Sequence, residues 1–321
     1  MDKRLKYALY VFIFGVAGLA VVLQKLAQPK YFFQDVLGEE ANLTLFIEPD
    51  DGRELLLGKI RPAGQILAEV YLLSDPEVIE ALKTKPAKII LEQHPFGNNT
   101  LNFKTKPILE AAGLLINWGN PNFPYTHAKF MVFDNQVVCI LNLNLTKTAF
   151  EKNREYNICS EKGEDITETI NIFNADWERK NYVPTNKHLV VSPNNSRGKL
   201  TALINSAEKS LDIEMEVLTD KDLINLVSAK TKNIPVRIIL PEKKKVDNPP
   251  VPGAQVKILV NPYPHAKLII TDGQRAYVGS INLSAQSLDE NRELGILVSQ
   301  SDILGRLTAT FNRDWATATN K

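Results

Sequence analysis

Two short segments of the chain carry the same ionisable side chains at the same spacing. Residues 127–134 and 265–272 both read His-x-Lys-x-x-x-x-Asp. An imidazole beside an ammonium group can supply a nucleophile or a proton donor together with a fixed positive charge. Because alternate residues of a strand face the same side, the histidine and lysine of each pair would project together. The two copies therefore predict one active site built from two halves.

The match between the two copies extends well beyond these segments. From each histidine, an asparagine, a glutamate and a tryptophan follow after 17, 28 and 50 positions. Each glutamate ends the string Asn-Arg-Glu, and each tryptophan ends Phe-Asn-x-Asp-Trp. These residues are Asn144, Glu155 and Trp177 in the first copy, and Asn282, Glu293 and Trp315 in the second. Separations kept in register indicate an internal repeat of about 130–140 residues, which is the size of a domain.

With these residues the chain resembles the phospholipase D superfamily, whose pattern is His-x-Lys-x4-Asp followed by Gly-Ser-x-Asn and a later Glu. The resemblance covers roughly residues 46–316. The second copy fits in full, with Gly279-Ser-Ile-Asn282 at the expected distance. The first copy has Leu141-Asn142 where Gly-Ser is expected. Since a side chain there replaces a position of close backbone approach, we expect weaker phosphate contacts in the first half.

The resemblance implies a phosphodiesterase that needs no metal and no cofactor and works through a phosphohistidine. One imidazole attacks phosphorus while the other, protonated, acts as general acid and then activates water. An unperturbed pKa of about 6.5 allows two histidines to take these opposite roles near neutral pH. By resemblance to family members with two copies, His127 is the nucleophile and His265 the acid and base.

The resemblance also implies roles for the residues around the histidines. Lysines bind phosphoryl oxygens, asparagines add hydrogen bonds, and glutamates orient the imidazoles. These residues are Lys129, Asn144 and Glu155 in the first half, and Lys267, Asn282 and Glu293 in the second. Asp134, Asp272 and Ser280 are expected to support them without touching substrate. Glu69 and Glu214 occupy matching strand positions, and the sequence leaves catalytic, supporting and solvated roles open for them.

The segments between the motifs alternate between strand and helix patterns. In the first half the predicted order is strand Ile66–Leu73, helix Asp75–Leu82 and strand Lys88–Leu91; in the second it is Leu211–Leu218, Asp220–Ala229 and Val236–Leu240. Each His-x-Lys pair is expected to open a further strand. This order predicts an α/β fold of two fused, pseudo-twofold-related phospholipase D-like halves, each a mixed sheet flanked by helices. We place the halves at residues 31–182 and 183–321.

The first thirty residues have a different character. The run Tyr7–Leu23 is uncharged and as a helix would span ~26 Å, near the lower limit for crossing a bilayer. We predict an uncleaved N-terminal transmembrane helix in residues 1–30, with a signal peptide as the alternative. The basic residues Lys3, Arg4 and Lys6 favour a cytoplasmic N-terminus, which places the catalytic part outside the cytoplasm.

Charge bears on the substrate. The chain has a formal net charge of +1, but the remainder after residue 30 holds 33 basic and 36 acidic residues. Non-specific nucleic-acid binders rely on a basic surface, so phospholipid is the predicted substrate, through hydrolysis or head-group transfer. The alternatives are a phospholipase D-like endonuclease acting on DNA or RNA, and a catalytically weakened phosphate-binding membrane protein. No oligomer is needed, because one chain supplies both halves.

Cys139 and Cys159 are the only cysteines of the chain. Both lie in apolar, strand-like runs, and the chain has no Cys-x-x-Cys motif or zinc-ligand spacing. We therefore expect two buried free thiols.

Overall fold

The computed structural model describes residues 42–97 and 100–320. The described part of the first half contains β1 (Leu43–Glu48), α1 (Glu54–Ile60), β2 (Ile66–Val70), α2 (Pro76–Leu82), β3 (Ala87–Leu91), α3 (Leu101–Ala111), β4 (Leu115–Trp118), β5 (Phe130–Phe133), β6 (Val137–Ile140), α4 (Lys147–Lys152), β7 (Asn153–Ser160) and α5 (Gly163–Trp177). The second half contains β8 (Leu189–Ser192), α6 (Ser196–Asn205), β9 (Leu211–Met215), α7 (Lys221–Lys230), β10 (Val236–Leu240), β11 (Gln255–Ile258), β12 (Tyr263–Pro264), β13 (Lys267–Thr271), β14 (Arg275–Gly279), α8 (Ala285–Asp289), β15 (Glu293–Val298), α9 (Ser301–Thr317) and β16 (Thr319–Asn320).

The predicted N-terminal anchor, residues 1–30, lies outside the described residues. Among the helices described, none combines the length and the apolar character that a bilayer span requires.

The two halves have the same sheet topology. The first sheet runs in the order β1-β7-β6-β5-β2-β3-β4, and the second runs β8-β15-β14-β13-β9-β10-β11, with β16 beyond β11. In each sheet the last three strands of the shared order are parallel and the others antiparallel. The predicted α/β fold of two repeated halves with mixed sheets is confirmed.

Local sequence explains where the helices that follow β2 and β9 begin. The Asp75 carboxylate accepts hydrogen bonds from the backbone N–H groups of Glu77 and Val78, and Pro76 takes the first helical position of α2. In the second half Asp220 caps α7 by accepting from the N–H of Leu223. A capping carboxylate satisfies N–H groups that have no partner within the helix.

The two sheets share a hydrophobic core. Along β5, Phe130 and Val132 pack into a cluster that also contains Leu268 and Ile270 of β13, whereas Met131 and Phe133 face a separate cluster in the first half. This alternation follows from the two-residue period of a strand. The halves are thus joined through apolar faces of β5 and β13, the strands that follow the two motifs.

The two histidines precede these strands, whereas Lys267 opens its strand as predicted and Lys129 lies one residue before its own. The strand β5 begins at Phe130, and β13 begins at Lys267, two residues after His265. The reason is visible in the first half, where the N–H groups of His127 and Ala128 both donate to the carbonyl of Arg292 at 2.8 Å. The backbone at the motif is therefore bonded to the opposite half of the molecule.

The expectation of free thiols is wrong, because Cys139 and Cys159 form a disulfide. The register of β6 and β7 places the two residues directly opposite each other, with their Cα atoms 3.9 Å apart. Two apolar strand-like runs do not reveal their mutual register in the sequence, so the pairing became apparent only in the folded sheet.

Candidate active site

The backbone beside each motif pairs with the backbone of the other half. Thr126 forms an isolated parallel bridge with Arg292, and β12 pairs with β7 so that Pro264 lies opposite Arg154. The two arrangements are equivalent by the internal repeat. Each motif histidine therefore lies beside the Asn-Arg-Glu string of the opposite half.

This crossing creates two histidine–glutamate pairs. Nδ1 of His127 lies 2.8 Å from Oε2 of Glu293, and Nδ1 of His265 lies 2.8 Å from Oε2 of Glu155. Both glutamates are fully buried. Because a carboxylate accepts hydrogen bonds, Nδ1 of each ring carries the proton, and Nε2 is the nitrogen left for chemistry. The predicted pairing of glutamate with histidine is present in the geometry, but each pair spans the two halves.

Two asparagines that the sequence reasoning left without a role hold these glutamates. Nδ2 of Asn153 donates to Oε1 of Glu155 at 3.1 Å, and Nδ2 of Asn291 donates to Oε1 of Glu293 at 3.3 Å. Each carboxylate is thus fixed through one oxygen by asparagine and through the other by histidine. The shared Asn-Arg-Glu strings were the signal for this arrangement.

We call His127, Lys129 and Asn144 the first half-site, and His265, Lys267 and Asn282 the second half-site. Both lysines are fully buried, and each Nζ donates to the carbonyl of the histidine two residues earlier, at 2.6 Å for Lys129 and 2.8 Å for Lys267. Oδ1 of Asn282 accepts from the N–H of Val217 at 3.2 Å. Oδ1 of Asn144 is buried and has no hydrogen-bond partner in the described part of the chain.

Burial changes the protonation of the first half-site. Desolvation lowers the pKa of His127 to about 4, and the charge of Lys129 acts in the same direction against the opposing charge of Glu293. Desolvation also lowers the pKa of Lys129 to about 7. Burial alone would raise the pKa of Glu293, but its pairing with His127, which donates a hydrogen bond to it, and the charge of Lys129 more than offset this effect and lower it. At neutral pH the first half-site therefore holds a neutral imidazole bonded to an ionised carboxylate.

The second half-site contains a carboxylate that the sequence reasoning missed. Oε2 of Glu216 lies 2.9 Å from Nζ of Lys267 and 3.4 Å from Nε2 of His265. Nζ of Lys267 is also 3.2 Å from Nε2 of His265. The internal repeat could not mark Glu216, because the corresponding residue of the first half is Tyr71.

The Gly-Ser of the second half and the Leu-Asn of the first are explained by packing. A Cβ atom at Gly279 would lie 2.3 Å from Cα of Gly295 and 2.7 Å from Oη of Tyr277, so the glycine makes room for the tyrosine. The first half has Cys139 in place of that tyrosine, and Leu141 is buried in the core. The Leu141 side chain therefore lies in the core of the first half, and weaker phosphate contacts there remain a prediction.

The residues expected to support the site lie in different places. Oγ of Ser280 accepts from the N–H of Leu294, next to Glu293, at 3.2 Å. Asp134 and Asp272 lie at the far ends of the strands that follow the motifs, both with positive φ. Their carboxylates accept backbone N–H groups that precede β2 and β9, from residues 64–65 and 208–210 respectively. These two aspartates stabilise turns and do not contact the histidines.

The arginines of the two Asn-Arg-Glu strings join the halves. Arg154 donates to both carboxylate oxygens of Asp314, at 2.6 and 3.0 Å, and Arg292 forms the equivalent ion pair with Asp176, at 2.8 Å. All four side chains are buried. Each pair links one half to the Phe-Asn-x-Asp-Trp helix of the other, which explains why both strings recur in the sequence.

Glu69 and Glu214 lie near these ion pairs, fully buried, which excludes the solvated role. Burial raises the pKa of Glu214 to about 8, with the charge of Asp314 adding to the effect, and Oε2 of Glu214 accepts from Oη of Tyr156 at 2.7 Å. Burial likewise raises the pKa of Glu69 well above its usual range, and the charge of Asp176 acts in the same direction. Within residues 42–97 and 100–320, no group of three or more histidine, cysteine, aspartate or glutamate side chains is arranged to hold a metal ion.

Comparison with known proteins places this geometry in a family. A family model described as cardiolipin synthase, PLD-like domain, matches the chain twice, over residues 63–177 and 200–315. A stretch of 125 residues is 27% identical to the probable cardiolipin synthase YwiE of Bacillus subtilis (strain 168), and it covers 35% of this chain and 25% of that protein. The chain thus spans about a quarter of the length of this curated relative.

Solved structures agree on the fold. The phosphatidylserine synthase of Haemophilus influenzae Rd KW20 superimposes with a TM-score of 0.68 at 13% identity, over 91% of this chain and 92% of that one. The polyphosphate kinase of Porphyromonas gingivalis also gives 0.68, at 14% identity, over 85% of this chain and 50% of that one. At such identities the likeness establishes the fold alone. The two family matches and the paired motifs show that the chain belongs to the phospholipase D superfamily, with one PLD-like domain in each half.

Proposed function

We propose that this protein acts on phospholipids as a phospholipase D-type enzyme, which transfers the phosphatidyl group of a diester to water or to an alcohol. The observation that carries the proposal is the crossed pairing of His127 with Glu293 and of His265 with Glu155, both at 2.8 Å. This crossing supports a single site that contains both histidines of one chain. The relatives named as cardiolipin synthase and phosphatidylserine synthase support a phospholipid substrate.

In the first step Nε2 of His127 attacks phosphorus, and the bond from phosphorus to the head-group oxygen breaks. His265 donates a proton to the departing alkoxide. In the second step His265 removes a proton from water or an alcohol, whose oxygen attacks phosphorus and displaces Nε2 of His127. Lys129, Lys267 and the two asparagines stabilise the negative charge on the non-bridging oxygens. No metal or cofactor takes part in these steps.

The surroundings of the histidines support this division of roles. His127 is neutral at physiological pH, because burial holds its pKa at about 4, so its Nε2 lone pair is available for attack. Nε2 of His265 instead faces the carboxylate of Glu216 at 3.4 Å, a partner to which a protonated imidazole can donate. A ring placed between Glu155 and Glu216 is suited to hold and return a proton.

The location we propose is a membrane, with residues 1–30 as a single N-terminal anchor and the catalytic part outside the cytoplasm. The disulfide between Cys139 and Cys159 supports this placement, because disulfides persist mainly in oxidising compartments.

The test is a substrate comparison with the full-length protein purified in detergent and assayed in a metal chelator. We expect head-group release from labelled phospholipid vesicles and no cleavage of DNA or RNA. His127→Ala and His265→Ala should each lower turnover by about 10³-fold or more, because each removes a reacting group. His94→Ala is the matched control, since the His94 side chain is exposed and its ring packs near that of Phe103.

Two results would contradict the proposal. Cleavage of nucleic acid with intact vesicles would establish an endonuclease instead. Unchanged turnover in both histidine variants would exclude the two-histidine mechanism.

A further inference from the structure

The two half-sites differ most at one pair of equivalent positions, Tyr71 and Glu216. Each residue follows a central strand, and an asparagine side chain clamps the backbone there in the same way. Nδ2 of Asn102 donates to the carbonyl of Tyr71 at 2.7 Å, and Nδ2 of Asn248 donates to that of Glu216 at 3.0 Å. The backbone is therefore equivalent, and only the side chain at this position changes.

Glu216 holds its carboxylate on the two donors of the second half-site. Its Oε2 contacts Nζ of Lys267 and Nε2 of His265, and its Oε1 accepts from Oη of Tyr263 at 3.0 Å. Burial would raise the pKa of Glu216, but the charges of His265 and Lys267 more than offset this and lower it. The side chain is 18% exposed, so it is partly accessible to solvent. An ionised carboxylate thus lies where a phosphoryl oxygen would seek the same donors.

Tyr71 leaves the first half-site without such an anion. The centroid of its ring lies 4.5 Å from the centroid of the His127 ring and 4.9 Å from Nζ of Lys129. Its Oη accepts from the N–H of Phe96 at 2.6 Å, and burial raises its pKa, so the phenol is neutral. Within the described residues no carboxylate forms a salt bridge with Lys129. Below its lowered pKa of about 7, the ammonium of Lys129 is therefore available to a ligand.

We propose that Glu216 determines which phosphate charge the site accepts: it fills the anion position of the second half-site, admits the monoanion of a phosphodiester, and disfavours the dianion of a phosphomonoester or of inorganic phosphate. The inference rests on the proposed function and assigns a specificity residue to the same site.

The physical reason is the charge dependence of the repulsion between two anions. The Coulomb energy is proportional to the product of the charges, so a dianion beside Glu216 is repelled about twice as strongly as a monoanion. Screening by salt is weak for partly buried groups. A phosphomonoester has its second pKa near ~6 and is mainly a dianion at neutral pH. Hydrolysis of a phospholipid diester produces such a monoester, so Glu216 would also favour release of that product.

The test is a direct binding titration of the full-length protein at neutral pH, with inorganic phosphate and with dimethyl phosphate as the probes. Glu216→Gln keeps the shape of the side chain and removes its charge. We expect inorganic phosphate to gain at least about tenfold more affinity than dimethyl phosphate, a difference of about 1.4 kcal/mol. Glu216→Tyr introduces the residue found in the first half. In this variant too, the affinity for inorganic phosphate should rise more than the affinity for dimethyl phosphate.

Two control variants separate the charge of Glu216 from other effects. Glu216→Asp keeps the charge and should retain most of the discrimination. Glu164→Gln removes one exposed carboxylate on α5 and should change neither affinity. Circular dichroism shows which variants are folded. If Glu216→Gln is unfolded, the affinities of Glu216→Tyr for the two probes provide the test instead.

Equal gains for both probes, or no gain for inorganic phosphate in either Glu216→Gln or Glu216→Tyr, would overturn the inference. The titration measures binding and not turnover. A protein that binds phosphate as expected but leaves phospholipid intact would therefore contradict the proposed function and leave the role of Glu216 standing.

Discussion

The two half-sites have the same backbone and different chemical surroundings. Each places a histidine against a buried glutamate of the opposite half at 2.8 Å and a lysine on the histidine carbonyl. The first is lined by the aromatic ring of Tyr71, whereas the second contains the carboxylate of Glu216. Duplication of a domain thus supplies the geometry, and one substitution beside each histidine makes the two halves chemically unequal.

The same contrast recurs away from the histidines. The second half packs Tyr277 against Gly279 and Gly295, and Oη of Tyr277 accepts from the N–H of Ile281 at 3.0 Å. The first half has Asn157 at the position of Gly295, and its Oδ1 accepts from the N–H of Leu143 at 3.3 Å. Both solutions bind the backbone just after β6 and β14, the third strand of each sheet in the shared order. The halves therefore differ in side chains while they keep the hydrogen bonds that position the motif asparagines.

The largest expected effect is a loss of stability, and it tests whether the two halves stabilise each other equally. Arg154→Met and Arg292→Met each leave a buried aspartate without its partner, so each should lower the free energy of unfolding by about 3–5 kcal/mol. Denaturant unfolding measures the loss. Arg61→Met is the control, because Arg61 and Glu54 form an exposed ion pair whose removal should leave the free energy of unfolding nearly unchanged. A loss confined to one of the two buried arginines would contradict the pseudo-twofold account of the interface.

The disulfide is specific to the first half, where Cys139 and Cys159 lie 20 residues apart in sequence. A closed loop of this size stabilises a protein by about 3 kcal/mol in the chain-entropy model. We expect the free energy of unfolding, measured with denaturant on protein purified without reductant, to fall by about that amount when reductant is added. Two free thiols in the unreduced, unfolded protein would contradict the pairing.

A smaller effect, on the pH profile, tests the electrostatics of the first half-site. Activity requires a neutral His127, so kcat/KM should fall as the pH drops through about 4, the pKa to which burial lowers this histidine. It should also fall above about 7, where Lys129 loses the charge that binds phosphate. Lys129→Arg should remove the part of this decline that Lys129 causes, because a guanidinium stays protonated. An acid limb near the unperturbed value of ~6.5 would show that His127 is not the buried nucleophile.

The sequence predicted much of this structure because spacing survives duplication. The repeat located the histidines, lysines, asparagines and glutamates, and alternation of strand and helix patterns gave the fold class. The crossing of Glu155 to His265 was hidden, since the spacing within one copy is the same whether a glutamate serves its own half or the other. Glu216 was hidden for a related reason: comparison of the copies marks residues that match, and Tyr71 does not match it.

The central claim is that His127 attacks phosphorus and His265 moves the proton. It is tested most directly with a nitrophenyl phosphodiester, whose leaving group departs without a proton donor, in His127→Ala and His265→Ala. In His265→Ala we expect a stoichiometric burst of nitrophenol, with the phosphoryl label mapped to His127 after an alkaline quench. In His127→Ala we expect no burst. A burst in His127→Ala with the label on His265 would contradict it.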